Sequence, residues 1–226
     1  MQRADYIKKI VDAKSEIVML KKTNTDKMID RTLVQLYGKL EKLHTRTAMV
    51  TLSSQLKYCP FGYLIAGPAG IGKSSVTAHM VKAFMSWKKA KQGWTPEGDE
   101  KDYIVTVNTA DKFQSEVFSH HIVGLLDDFM NKKPEKVAPG ENAHDLLIRI
   151  VNNVPCVALK PDVESKGAVP INFELVGLTT NVDHLYASLF VNDTYSILRR
   201  VQFVVYPHVR TMFRKEDSNA LDPAKA

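Results

Sequence analysis

Apolar residues follow two different rhythms along this chain. Over residues 4–21, Ile7, Ile10, Val11, Ile17 and Val18 recur at helix-like spacing, with Lys8, Lys9, Lys14 and Glu16 between them, which predicts an amphipathic helix. A polar break at residues 22–26 follows, and then Leu33, Leu36, Leu40 and Leu43 advance in alternating steps of three and four. That spacing makes a seam for another helix, and three partners suit it: the chain's own core, a second copy of the chain, or a membrane surface. From Tyr58 the rhythm changes to short apolar runs alternating with helical patterns. Candidate strands are 62–66, 103–108, 121–126, 172–178 and 201–205, and residues 76–85 read as an amphipathic helix. Strands alternating with helices predict an α/β fold with a mainly parallel five-stranded sheet covered on both faces. The expected organisation is a basic helical segment over residues 1–57, a core over 58–210 and a C-terminal tail over 211–226. The last ten positions lack periodicity and read as a disordered end or cut point.

Composition narrows the picture. At 226 residues and 44% hydrophobic content, the chain can bury one full core with an appended helical element. The net charge is +6, and residues 1–57 carry 12 Lys and Arg against 6 Asp and Glu, whereas residues 58–226 carry 19 against 19. The whole excess therefore precedes the core, which suits either RNA, an anionic membrane or simply a solvated helix face. Two cysteines, Cys59 and Cys156, are too few for a disulfide framework or a structural zinc site. No apolar stretch reaches bilayer-spanning length and the first residues do not form a signal peptide, so any membrane contact is expected to be peripheral.

The chemistry concentrates in four runs. Gly67-Pro68-Ala69-Gly70-Ile71-Gly72-Lys73-Ser74-Ser75 fits G-x-x-x-x-G-K-[ST] and stands between a strand-like run and a helix. Glycines let backbone N–H groups turn inward at a triphosphate, and the helix start adds its positive end. Lys73 is expected to reach the β- and γ-phosphates, and the Ser74 hydroxyl to hold Mg²⁺. The second run, 121–129, closes an apolar strand with Asp127 and Asp128, 54 positions after Lys73. Strand ends in a parallel sheet face the ligand crevice, so Asp127 is expected on the metal and Asp128 on the attacking water. The third, 173–181, ends in Thr179-Thr180-Asn181; Asn181 either senses the γ-phosphate and the lytic water or caps the next helix. The fourth is Arg199-Arg200, a pair suited either to a neighbouring subunit's phosphates or to surface ion pairing. Outside these runs, the polar loop 88–100 is lysine-rich, Lys166-Gly167 sits in an expected loop, and His120, His121 and His144 lack metal-ligand spacing. The loop lysines and Lys166-Gly167 could touch nucleic acid, and Lys166-Gly167 equally an adjacent subunit's nucleotide.

Taken in this order, the phosphate loop, the Asp127-Asp128-Phe129 acids, Lys166-Gly167, Asn181 and Arg199-Arg200 resemble the superfamily 3 helicases of picorna-like RNA viruses, over roughly residues 55–207. Only 108 positions separate Lys73 from Asn181, which suits one compact core rather than two tandem ones. The resemblance implies a P-loop NTPase core of the AAA+ class, ATP and Mg²⁺ as cofactors, assembly into a ring expected as a hexamer, and single-stranded RNA as partner. It also implies work at intracellular membranes of the host cytoplasm, with residues 1–50 as the peripheral contact. Two departures stand out. Residues 111–119 lack the glycines of the loop that many relatives carry there, and the cysteine-rich zinc element of many picornaviral members is absent. The leading reading is a viral RNA helicase or remodelling ATPase; a membrane-bound replication scaffold with little unwinding and a cellular AAA+ loader or chaperone are the alternatives.

Overall fold

The computed structural model describes residues 3–24, 26–54, 56–96, 98–137, 142–161, 169–216 and 218–225. Two long helices lead, α1 (Arg3–Thr23) and α2 (Lys27–Ser54). Asp26 starts the second by accepting the Met28 N–H on its side chain at 2.7 Å, satisfying one of the unpaired donors of the first turn. Ile10, Ile17 and Leu33 are buried, and Lys14 pairs with Glu41 and lies 5.4 Å from the Tyr37 ring centre. The leucine seam is thus used in part by the chain's own α1. Leu36 and Leu43 stay exposed, as do Val11, Val18, Met19, Met28, Ile29 and Val34. Among the described residues no helix is long and apolar enough to cross a membrane.

Lys57 fastens the link into the core. Its ammonium donates to the carbonyls of Ile150 (2.9 Å) and Ile171 (3.0 Å), and burial lowers its pKa from the usual lysine value. The core then runs β1 (Phe61–Ala66), α3 (Lys73–Gln92), β2 (Ile104–Thr106), β3 (Val123–Leu126), α4 (Ala143–Ile150), β4 (Leu175–Thr180), α5 (Ala187–Phe190), α6 (Tyr195–Leu198) and β5 (Phe203–Val205). The sheet order is β2-β3-β4-β1-β5 and every pairing is parallel. The expected α/β architecture with a parallel five-stranded sheet is therefore borne out. Successive residues of β1 point to opposite faces: Tyr63 and Ile65 pack with Val81 and Met85 of α3, while Leu64 and Ala66 join Phe129, Leu147, Ile150 and Ile197. A strand buried on both faces needs a continuous apolar run, which is what residues 63–66 supply.

Several boundaries move for identifiable reasons. The strand expected over 172–178 starts only at Leu175, and residues 169–171 ahead of it lie antiparallel against 156–158, through Ala158 N–H to Val169 O and Ile171 N–H to Cys156 O. Strand β4 instead continues to Thr180 because its partner β1 continues to Ala66. Residues 200 and 201 are tied back to Ile197 and Leu198, so β5 starts at Phe203. Helix α4, which no periodicity above assigns, begins where the Asn142 side chain accepts the His144 N–H.

The C-terminal end departs most from expectation. It is not a free tail: Asp222 N–H donates to Phe213 O, Lys215 N–H to Ala220 O, and Leu221 N–H to Gly70 O at 2.8 Å. Arg214 braces the turn through Val209 O and Asn219 Oδ1. The missing periodicity reflects a segment held by its backbone and by one arginine, with little apolar surface to bury. Lys166-Gly167, read above as a nucleic-acid or subunit contact, lies outside the described residues.

Candidate nucleotide site

Residues 67–72 span the gap from the end of β1 to the start of α3. The loop is pinned at its beginning by Gly67 N–H to Thr180 O (3.2 Å), next door in β4. Gly70 (φ 80°) and Gly72 (φ 85°) hold left-handed backbone that other residues adopt only at a cost of about 1–2 kcal/mol. Gly72 precedes the helix, and Val76 N–H closes the first turn on its carbonyl at 3.0 Å. Pro68, Ala69, Ser74 and Ser75 are exposed along the loop, whereas Ile71 is buried and anchors it. The unpaired first-turn amides of α3 thus stand directly after the left-handed glycine turn, the arrangement an anionic phosphate chain needs.

The other motifs meet this loop at the ends of β3 and β4. Lys73 Nζ donates to Gly67 O (2.9 Å), Pro68 O (3.0 Å) and Asn181 Oδ1 (2.5 Å). Asn181 N–H donates to Asn131 Oδ1 at 3.0 Å, and Asn131 Nδ2 donates to Asp128 Oδ1 at 2.6 Å. One unbroken chain of hydrogen bonds thus runs from the phosphate-loop lysine to the second acid. Thr179 makes the parallel link: its hydroxyl donates to Asp127 Oδ1 and accepts the Asp128 N–H at 3.0 Å. Asp127 and Ser74 line the same cavity of about 190 Å³ between α3 and β3. A second cavity of about 300 Å³, lined by Asn108, Asp127, Asp128, Asn131 and Lys132, opens beyond the acids.

The site fits a magnesium-bound nucleoside triphosphate. Hard oxygen donors, one hydroxyl and one carboxylate, face a shared cavity beside a glycine cradle and an ammonium group, which leaves the remaining magnesium positions to phosphate and water. Among the described residues no group of three or more His, Cys, Asp or Glu side chains gathers. Asp128 sits at φ 50°, where an Asp is tolerated better than most residues, and Met130 at φ 57°. This tight turn lifts the acid out of the strand: Asp127 and Asp128 are exposed, while Phe129 and Met130 are buried behind them.

The arginines are elsewhere. Because β5 runs parallel to β1, residues before it lie at the end of the sheet opposite the phosphate loop. Arg199 is exposed there. Arg200 is only 6% exposed, donates through Nη1 to Ser196 O at 2.5 Å, and its carbonyl packs where a side chain at Gly62 would stand. The expectation that both arginines can meet a neighbour is therefore corrected to Arg199 alone. A cavity of about 740 Å³, lined by Leu56, Tyr58, Phe61, Trp87 and Phe173, is also at this far end and away from the acids.

Residues 111–119 form a folded strap against the sheet. Gln114 is buried and exchanges hydrogen bonds with the Leu159 backbone, while Lys160 donates to Ser115 O and Val117 O. His121 accepts the Phe118 N–H and is held neutral, its pKa pushed down to about 4 by burial and by His120. His144 is likewise buried with a lowered pKa, so both serve the core. Sequence reasoning passed over Thr179 as a bridge and Asn131 altogether. The available signal was an Asn three positions after an acid at a strand end, where a turn returns its side chain to that acid.

The RNA helicase family model matches residues 63–182, more than half of the chain, and takes in the phosphate loop, both acids and Asn181. The chain belongs to the RNA helicase family. Arg199 and Arg200 lie beyond the family's matched stretch. Among curated proteins, none matches the chain. Solved structures with similarity include Saccharomyces cerevisiae Hsp104 in an extended complex with casein, at 12% identity and TM-score 0.43, covering 76% of this chain and 33% of that one. The S. cerevisiae Hsp104–ADP complex matches at 9% identity and TM-score 0.37, covering 89% and 30%. The chain spans about a third of the length of these Hsp104 chains.

Proposed function

We propose that the chain is a Mg²⁺- and ATP-dependent nucleoside triphosphatase of a picorna-like virus, of superfamily 3, that remodels or unwinds RNA during genome replication. The observation that carries this reading is the hydrogen-bonded run Lys73–Asn181–Asn131–Asp128, with Thr179 joining Asp127, because it gathers phosphate, metal and water residues from three elements. Lys73 and the loop amides hold the β- and γ-phosphates, and Ser74 and Asp127 hold the metal. Bound Mg²⁺ neutralises charge that develops on the phosphates. Asp128 orients the attacking water and accepts its proton, and Asn181 contacts the γ-phosphate. The nucleoside end then leaves on the other side of the loop, toward a hollow of about 230 Å³ lined by Tyr206, His208, Arg214 and Asn219.

Hydrolysis is completed between subunits in this reading, with exposed Arg199 offered to a neighbour's γ-phosphate in a ring, a hexamer by analogy. Family membership supports RNA as the polymer. The test is the ATPase rate against protein concentration, with and without single-stranded RNA. Specific activity should rise with concentration and again with RNA. A rate per subunit that ignores both would leave an ATPase that needs neither a ring nor RNA.

The basic helical hairpin is assigned to anionic partners, RNA or the headgroups of intracellular host membranes. Its exposed Val11, Val18, Met28 and Ile29 beside lysines favour a second reading, a nucleotide-dependent membrane scaffold. Deleting residues 1–54 should make the slope of log affinity against log salt shallower, by about 0.7–0.9 for each lost phosphate contact on RNA. Anionic liposomes serve as the parallel probe. An unchanged slope on both would move the binding surface into the core.

A further inference from the structure

Asn131 stands half-buried in the turn after β3, and no motif assigns it a role. Its amide is held between partners of opposite kind: Nδ2 donates to Asp128 Oδ1 at 2.6 Å and Oδ1 accepts from Asn181 N–H at 3.0 Å. A carboxylate only accepts and a backbone N–H only donates, so the amide has a single orientation. We propose that Asn131 is a positioning residue that ties Asn181 to Asp128, so that the phosphate contact and the water-orienting carboxylate act as one unit. The inference rests on the reading of Asp128 given above.

The turn does not need this side chain for its own closure. Asn131 N–H to Asp128 O, Phe129 N–H to Thr179 O and Thr180 Oγ1 to Phe129 O already fasten it to itself and to β4. What the side chain adds is a hold on an exposed carboxylate. Asp128 Oδ2 has no hydrogen-bond partner among the described residues, so one oxygen is fixed and the other is left for water. Such preorganisation matters because a carboxylate free to rotate must be ordered again in every transition state. The link to Asn181 goes through its main chain, which leaves the Asn181 side chain for Lys73 and a phosphate. A shift of Asn181 on phosphate contact therefore moves the Asn131 amide and, with it, Asp128.

The test compares wild type, N131A, N131D, D128N and the D128N/N131A double variant for ATP affinity and for single-turnover hydrolysis. N131A should bind ATP within about threefold of wild type and lose about 10–100-fold in rate, the usual cost of removing a partner that orients an active-site carboxylate. N131D keeps the shape and an acceptor for Asn181 N–H but sets a second carboxylate against Asp128, and should lose at least as much. In the D128N background the N131A change should cost less than about twofold, since the group it positions is gone. Wild-type rates in both single variants overturn the proposal, as does an undiminished loss on top of D128N. Amide exchange gives a readout independent of turnover: the Asn181 amide should exchange at least about tenfold faster in N131A, with Gly67 unchanged. Unchanged exchange at Asn181 overturns the link even if hydrolysis falls. If D128N itself turns over at the wild-type rate, the reading of Asp128 fails, and the exchange result still decides whether Asn131 joins the two.

Discussion

Changing Asp128 to Asn should lower ATP turnover by about 10²–10⁴ while leaving ATP affinity close to wild type. The carboxylate is exposed at the end of β3, held at one oxygen by Asn131, and its backbone is locked by Thr179. An amide in its place keeps the shape and cannot take a proton from water. Lys73→Ala should behave differently. It removes a cation that lies against Gly67 O, Pro68 O and Asn181, within the phosphate cradle, so affinity and turnover should fall together. Equilibrium binding of a fluorescent ATP analogue beside single-turnover hydrolysis separates the two patterns. A D128N protein that hydrolyses ATP at the wild-type rate would remove Asp128 from the mechanism.

Arg199→Ala protein should bind nucleotide through its own loop and hydrolyse it about 10³–10⁵ more slowly than wild type, the worth of an arginine supplied to a phosphoryl transition state. Arg199 lies at the end of the sheet away from its own loop, so any such role is exerted on a neighbour. Mixing supplies the decisive comparison. An Arg199→Ala subunit keeps Lys73 and Asp128, and a Lys73→Ala subunit keeps Arg199, so some junctions in a mixed ring are complete and activity should return. Mixtures that exchange subunits yet stay inactive would confine Arg199 to a structural or RNA-binding role. Arg200→Ala should instead lower the melting temperature, because its buried guanidinium donates to Ser196 O of α6 and its removal leaves a void there.

Whether a residue's role can be read from sequence depends on whether local or distant contacts set it. Residues 63–66 and 123–126 read as strands because both faces of the sheet are covered and every position is therefore apolar or glycine. The phosphate loop was legible because its glycines are demanded by local backbone geometry, at Gly70 and Gly72, and not by distant contacts. Asn131 and Thr179 were not, since their importance arises only when β3 and β4 lie side by side and bring positions about 50 apart within hydrogen-bond reach. Arg200 misled for the converse reason: sequence gives its charge, while its burial depends on α6, whose Ser196 carbonyl takes the guanidinium. Residues 218–225 carry no hydrophobic rhythm because backbone bonds, including Leu221 N–H to Gly70 O, hold them in place.

Hydrolysis of a magnesium-bound triphosphate by the Gly67-to-Ser74 loop and the two acids underlies every role assigned above. Release of labelled phosphate from γ-labelled ATP, measured for wild type and Lys73→Ala side by side with Mg²⁺ and with EDTA, tests it most directly. Wild type should release phosphate steadily, EDTA should stop that release, and Lys73→Ala should release none. Equal release from both proteins, or release by wild type that EDTA leaves untouched, would contradict it.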